Sequence, residues 1–255
     1  IAVYLIICGL FYFLQENLFF SPQKLDKEYT FAFNQKFDEI NVTTTDGIVL
    51  NGLLFKADRS KGLIFYLHGN AGSLESWGLV AKTYIHLNYD VFILDYRGFG
   101  KSEGSIESEK QFFKDIQSAY DQMLTLYSEA NIIVLGYSIG TVPAAKIAST
   151  NNPKLLILQA PLYNMKNMVN RYYPIIPALF LRYEFETNNF IEECKMPIVI
   201  FHGDQDEVIN YSSSIKLKEH FKPQDTLITL PGQRHNGMTY NQDYKTELQR
   251  ILNGK

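Results

Sequence analysis

The sequence predicts an α/β protein built on a mostly parallel central sheet with helices on both faces. Three observations predict it. Short, wholly apolar runs recur along the chain: GLIFYL (62–67), VFIL (91–94), IIVL (132–135), LLIL (155–158) and IVIF (198–201). Segments with helical spacing of apolar residues lie between them. Strands this apolar on both faces need cover on both sides, which is the signature of a parallel sheet rather than of a half-wet antiparallel one.

The elements follow in order. Ile1–Leu14 reads IAVYLIICGLFYFL, without charge or proline. Fourteen helical residues rise about 21 Å, short of the ~30 Å hydrocarbon core of a bilayer. The sequence opens on Ile rather than Met, and a few upstream residues would complete a span. The expected role of residues 1–20 is a single-pass signal anchor at a membrane. A cleaved signal peptide is disfavoured because no small-x-small site follows the apolar run. A helix packed on the domain is the third reading. Lys24 and Lys27 alternate with Asp26 and Glu28, so charge assigns no side of the membrane.

Residues 21–255 form the expected globular domain. Phe37–Thr43 and Ile48–Phe55 flank Thr45-Asp46-Gly47, a hairpin signal that adds antiparallel strands at one edge. Leu74–Leu87 has helical character. Glu107–Tyr127 places Phe112, Phe113, Ile116, Ala119, Tyr120, Met123 and Leu124 at helical spacing. Ile139–Ser149, Ile215–Phe221 and Thr239–Leu252 are further helices, and Thr226–Leu230 is a last strand. Leu162–Lys195 breaks the rhythm with Pro174, Pro177 and a dense aromatic set that includes Tyr163, Tyr172, Tyr173, Phe180, Tyr183 and Phe185; an insert of this length between two strands is expected to form a small lid.

Composition narrows the function. The chain has 255 residues, 46% hydrophobic and 20% charged, the balance of a globular protein with a sizeable core. The net charge is −3, so the basic footprint of a nucleic-acid binder is missing. Cys8 and Cys194 are too few for a disulfide scaffold or a cysteine metal site. No H-E-x-x-H or paired Cys/His spacing is present, and neither metal nor cofactor is expected. Gly98-Phe99-Gly100-Lys101-Ser102 ends like a phosphate loop, but a full Walker pattern needs glycine at position 95, which is Asp95.

The chemistry concentrates in four loops. Gly136-Tyr137-Ser138-Ile139-Gly140 fits G-x-S-x-G between a strand and a helix, the context of a nucleophile elbow. Such a turn lifts the Ser138 hydroxyl clear of the sheet and aims helix N-terminal amides at it. A serine needs a base. His68 and His202 end apolar strands and suit structural roles, while His86 and His220 lie on helices. His235, in the glycine-flanked loop after the last strand, is the expected base. The base in turn needs a carboxylate. Asp204, Asp206 and Glu207 all follow the strand Ile198–Phe201, and all fit the chain order Ser, acid, His. The loop His68-Gly69-Asn70-Ala71-Gly72 offers backbone amides. Those of Asn70 and Ile139 are the expected oxyanion hole, where losing one donor typically costs about 2.7–4 kcal/mol.

These motifs together resemble the α/β-hydrolase superfamily, and more narrowly its membrane-anchored bud-emergence-type branch, often labelled serine aminopeptidase-like. The matching stretches are LHGNAGS (67–73), LDYRGFGKSEGS (94–105), LGYSIGT (135–141), HGDQDEVI (202–209) and GQRHNG (232–237), in family order. Phe19-Phe20-Ser21-Pro22 after the apolar helix also fits. The resemblance implies Ser138 as nucleophile, His235 as base and, among the three carboxylates, Asp206 as acid. Gln233-Arg234 is bulkier than the family's usual stretch before the histidine, so Arg234 is expected to narrow the site mouth or meet an anionic group. The implied activity is metal-free serine hydrolysis of a small-molecule acyl ester or thioester, lipid-like given the apolar helix and aromatic insert. Peptide-bond hydrolysis is second. A non-catalytic, membrane-tethered binding protein on the same scaffold is third.

Overall fold

The computed structural model describes residues 1–254. In chain order it contains α1 (Ala2–Phe19), β1 (Ser21–Pro22), β2 (Phe37–Thr43), β3 (Val49–Phe55), β4 (Leu63–Leu67), β5 (Ala71–Gly72), α2 (Leu74–Trp77), α3 (Ala81–Ile85), β6 (Asp90–Leu94) and α4 (Glu109–Leu124). These are followed by β7 (Ile132–Tyr137), α5 (Thr141–Thr150), β8 (Leu155–Gln159), α6 (Met165–Tyr172), α7 (Thr187–Glu193), β9 (Ile198–Gly203), α8 (Ser212–Lys218), β10 (Thr226–Leu230) and α9 (Gln242–Leu252).

Eight strands form one sheet in the order β10-β9-β8-β7-β4-β6-β3-β2. All neighbours pair parallel except around β3, which runs antiparallel to both β2 and β6. The hairpin turn over Thr45–Gly47 is therefore where the sequence places it. Period-two alternation divides the core. Leu63, Phe65 and Leu67 of β4 face one layer, and Ile64 and Tyr66 face the other. Both sets are fully buried, which explains the continuous apolar runs.

Local chemistry sets the helix limits. The Ser108 hydroxyl accepts from the Gln111 amide (3.2 Å) and caps α4. Asn164 and Asn241 cap α6 and α9 in the same way, at 2.8 and 3.0 Å. The helix expected over Leu74–Leu87 is broken into α2, a 3-10 turn over Gly78–Val80, and α3. The Phe33 ring lies against the Gly78 backbone, 2.3 Å from where a Cβ would stand, so a larger residue there would push the ring away.

Only the first part of the insert 162–195 borders the cavity beside Ser138. Its last helix, α7, packs against α5 and belongs to the cover of the sheet. Cys194, at the end of α7, is buried, and burial pushes its thiol up to about 12. Helix α1 continues past the apolar run to Phe19, within the expected 1–20, and its Gln15 and Glu16 find partners on the insert. It is apolar and long enough to cross a membrane, with mean hydropathy 1.5 over 18 residues. One stripe, Cys8, Phe11, Gln15 and Phe19, is buried against the domain. The opposite face leaves Val3, Leu5, Ile6, Leu10 and Phe13 exposed.

Candidate active site

Ser138 ends β7 at the middle of the sheet, with backbone φ of 55°. That left-handed conformation costs a non-glycine residue of order 1–3 kcal/mol and is held only by over-determined surroundings. The flanking glycines supply them. A Cβ on Gly136 would stand 2.4 Å from the Gly140 carbonyl oxygen, and one on Gly140 would stand 2.2 Å from that of Leu67. Backbone of the elbow thus packs directly on backbone of β4. The Thr141 hydroxyl donates to the Ser138 carbonyl (2.6 Å) and closes the turn into α5.

The loops after β7, β9 and β10 converge. The Ser138 Oγ lies 3.1 Å from His235 Nε2, and His235 Nδ1 lies 2.7 Å from Asp206 Oδ2. All three side chains are buried. A carboxylate only accepts, so Nδ1 carries the proton and Nε2 is left to accept from the serine hydroxyl. Backbone contacts lock this ring. Tyr137 donates its hydroxyl to the His235 carbonyl, and the His235 amide donates to Glu207 (3.2 Å). The loops bearing the acid and the histidine touch at Gly203, where a Cβ would stand 2.0 Å from the Gln233 carbonyl oxygen.

Of the three carboxylates, Asp206 is the one at His235. Asp204 accepts the Gly232 amide (2.7 Å) and ties the two loops together. Glu207 pairs with Arg234 (3.0 Å), whose side chain is 71% exposed. Arg234 does not line the cavity beside Ser138, so it does not narrow the mouth as expected. Asp206 Oδ1 accepts the amides of Val208 (2.8 Å) and Ile209 (2.7 Å). Burial pushes the Asp206 carboxyl up, but hydrogen bonds from His202, His235 and the Ile209 amide outweigh it and hold it well below the usual carboxylate range.

His202 is a contributor that sequence reasoning left among the structural histidines. Its Nε2 lies 2.9 Å from the Ile209 carbonyl and 3.2 Å from Asp206 Oδ2, so Nε2 carries the proton. Its Nδ1 accepts from Ser214 (2.6 Å). Asp206 therefore sits between two imidazoles. The available signal was spacing: His202 and Asp206 are four residues apart across a turn containing Gly203.

Asn70 and Ile139 line the same cavity as Ser138. Ile139 lies in the first turn after the elbow, where a helix leaves its amides without intrahelical partners. The Asn70 carbonyl accepts from the Ser21 amide (2.8 Å). This is part of a contact the sequence did not reveal: β1 pairs parallel with β5, tying the chain after α1 to the Asn70 loop. Behind that loop, His68 and Asp95 form another buried pair, with Nε2 3.6 Å from Oδ1.

The cavity, about 250 Å³, is lined by Leu18 and Phe19 of α1, by Leu162, Met165, Met168, Val169, Tyr172 and Tyr173 of the insert, and by Val208 and Ile209. Among the described residues, no Asp, Glu, Lys or Arg side chain lines it. Among the described residues, no three His, Cys, Asp or Glu side chains converge as a metal-ligand set.

Known proteins provide a context for this arrangement. The sequence pattern of the family described as serine aminopeptidase, S33, matches residues 58–187. That stretch contains Ser138, while Asp206 and His235 lie beyond it. Protein bem46 of Schizosaccharomyces pombe is 29% identical over 226 residues, covering 82% of this chain and 75% of that protein. The human alpha/beta hydrolase domain-containing protein 17C is 30% identical over 202 residues, 77% of this chain. The chain spans 59% of that relative's length. Among solved structures, an esterase of Pyrococcus furiosus superposes with a TM-score of 0.74 at 16% identity, covering 92% of this chain and 97% of its own. Est1E of Butyrivibrio proteoclasticus, bound to ferulic acid, gives 0.66 at 21%, covering 84% and 96%. At such identities these two structures speak for the fold.

Proposed function

The chain belongs to the serine aminopeptidase S33 family, as an α/β-hydrolase of the bud-emergence type, and from that premise we propose that it is a serine esterase or thioesterase acting on an acyl substrate. One observation carries the choice of substrate. The cavity that opens on Ser138 is mostly apolar and, among the described residues, has no carboxylate in its lining. An aminopeptidase must hold a protonated α-amine next to the scissile bond, and this lining offers it no counter-charge. An acyl chain needs none.

The chemistry follows from the geometry. Ser138 Oγ attacks the acyl carbonyl carbon while His235 Nε2 removes its proton. Asp206 accepts from Nδ1, fixes the tautomer and stabilises the imidazolium. The amides of Asn70 and Ile139 hold the oxyanion that develops on the carbonyl oxygen. His235 then protonates the departing alkoxide or thiolate. Water, deprotonated by the same Nε2, attacks the acyl-enzyme, and its collapse releases the acid and regenerates Ser138.

The exposed face of α1 holds the domain at a membrane in this proposal. Tyr4 donates to the Ile175 carbonyl (2.9 Å), so docking of the helix on the insert runs nearly its full length. Ile175 and Leu179 of the insert are themselves exposed. A helix docked in this way presents its remaining apolar face to the lipid headgroup boundary, as interfacial helices do.

Intact mass measured after treatment with a fluorophosphonate tests the nucleophile: one adduct is expected, absent in Ser138→Ala. A p-nitrophenyl acyl series compared with aminoacyl-anilides tests the bond. Faster anilide cleavage would replace this reading by peptide hydrolysis. No adduct on folded protein would leave a binding protein on a hydrolase scaffold.

A further inference from the structure

Helix α1 enters the cavity wall through residues that a tether would not need. Leu18 and Phe19, in its last turn, line the cavity with Asn70 and Ser138. Immediately after them the chain is fastened to the Asn70 loop: Ser21 donates to the Asn70 carbonyl (2.8 Å), and Gln23 to that of Gly72 (2.9 Å). Gln23 in turn accepts from the Gly100 amide (2.8 Å). Phe20 is buried among Phe99, Phe112, Tyr183 and Phe185. The end of α1 is thereby held in place relative to Ser138.

The other wall of the cavity is the insert, and α1 holds that as well. Gln15 is fully buried, at the start of the short polar stretch Gln15-Glu16-Asn17 in the otherwise apolar helix. Its Nε2 donates to the Phe180 carbonyl (2.7 Å), and its Oε1 accepts the Arg182 amide (2.9 Å). An unpaired amide would be costly to bury there. Satisfied at both ends by lid backbone, it specifies one register between helix and lid. Glu16 adds Arg182 (2.9 Å) and the Tyr183 hydroxyl (2.8 Å). Phe11 meets Tyr173, which also lines the cavity, with ring centroids 5.9 Å apart.

We propose that α1 is part of the acyl-binding site: Leu18 and Phe19 are specificity-determining wall residues, and Gln15 is a positioning residue that sets the lid against them. This inference rests on the esterase or thioesterase reading above. Acyl-chain selection and helix docking are then one property, since both walls depend on the same helix register.

The test uses the full chain in detergent micelles, with p-nitrophenyl acetate and octanoate as substrates. Leu18→Trp fills the wall and is expected to lower the octanoate-to-acetate ratio of kcat/KM at least tenfold, mainly through KM. Leu18→Ala is expected to move the optimum to longer chains. Gln15→Leu leaves the Phe180 carbonyl and Arg182 amide without their partner and is expected to raise the octanoate KM several-fold more than the acetate KM. If Gln15→Leu does not fold, Leu18, which is 46% exposed and tolerant of change, carries the decision. An octanoate-to-acetate ratio unmoved by both Leu18 variants, in protein that still forms the fluorophosphonate adduct, overturns the inference and leaves the esterase reading standing. A parent protein that cleaves neither ester and takes no adduct overturns both.

Discussion

Two buried histidine-aspartate pairs lie at the carboxyl edge of the same sheet, and they are wired in opposite ways. In His235–Asp206 the imidazole donates at 2.7 Å and the acid also takes two backbone amides. In His68–Asp95 the imidazole Nδ1 donates to the Gly69 carbonyl at 2.7 Å, and Nε2 stands 3.6 Å from Asp95 Oδ1, too far for a hydrogen bond. His68 Nε2 has no hydrogen-bond partner, and burial raises the Asp95 carboxyl, only partly offset by His68 and the Leu74 amide. The shifts are opposite because the hydrogen bonds to Asp206 outweigh its burial, whereas those to Asp95 do not outweigh the deeper burial there. The first pair can steady an imidazolium; the second holds a loop.

The sharpest way to break this comparison is to neutralise each acid. Asp206→Asn should cut kcat by roughly 10⁴-fold, since an amide at that position favours the wrong tautomer of the base. Asp95→Asn should leave kcat within about tenfold, because its amide can donate to the free His68 Nε2 and satisfy a buried acceptor. Comparable losses in the two variants, measured on one ester with folding checked by circular dichroism, would erase the distinction. A surviving Asp206→Asn enzyme with a dead Asp204→Asn would move the acid by two residues.

His202 sharpens the same contrast from the other side of Asp206. Replacing it by Phe removes one donor to the carboxylate and strands the Ile209 carbonyl and the Ser214 hydroxyl. A hydrogen bond to a charged group is worth about 1.5–3 kcal/mol, so kcat should fall roughly tenfold or more. KM for a short ester should stay nearly constant, because His202 does not reach the cavity. A change confined to KM would make His202 a packing residue only.

Acid melting separates the pairs without any substrate. The Asp206 carboxyl is depressed in the folded state, so its stabilisation is present above the ordinary carboxylate value near pH 4 and is lost as pH falls through the lower folded value. The Asp95 carboxyl is raised, so its ionisation opposes folding at neutral pH, and that penalty is relieved as pH falls toward the unfolded value. Asp206→Asn should therefore flatten the decline of Tm between about pH 5 and pH 3, and Asp95→Asn should steepen it. The differences should be a few degrees, given about 2–4 °C per kcal/mol for a chain of this size. Equal slopes in calorimetric scans would contradict the opposite wiring.

What was legible in the sequence tracks the range of the interaction that fixes it. The apolar runs at 62–67, 132–135 and 198–201 read as buried strands because burial on both faces is a local, compositional demand. The Ser138 elbow read well because its two glycines answer a local steric demand. The residues alone left the acid open and only the resemblance pointed to Asp206: Asp204, Asp206 and Glu207 share one loop, and it is the approach of the loop at Gly232–His235 that sets them apart. The pairing of Ser21 with Ala71 was invisible because two residues of backbone pairing leave no side-chain pattern. Gln15 follows the apolar run directly, and its role is set by residues 180 and 182, far along the chain.

The smallest expected effect concerns the one charge pair beside the site that faces water. Arg234 and Glu207 are 3.0 Å apart, at 71% and 43% side-chain exposure. Exposed pairs of this kind gain little, because solvent screens them and two long side chains lose freedom. Glu207 has a second task that Arg234 does not share, since its other oxygen accepts the His235 amide. Arg234→Ala should therefore change kcat/KM for a neutral ester by less than about twofold. Glu207→Ala should cost more than Arg234→Ala, because it frees the backbone at the base itself. Glu207→Gln, which keeps an acceptor oxygen, should recover most of that loss. If Arg234→Ala instead proved as damaging as Glu207→Ala, the ion pair rather than the amide contact would be what steadies His235, and water-exposed charge would matter here as much as the buried wiring around Asp206.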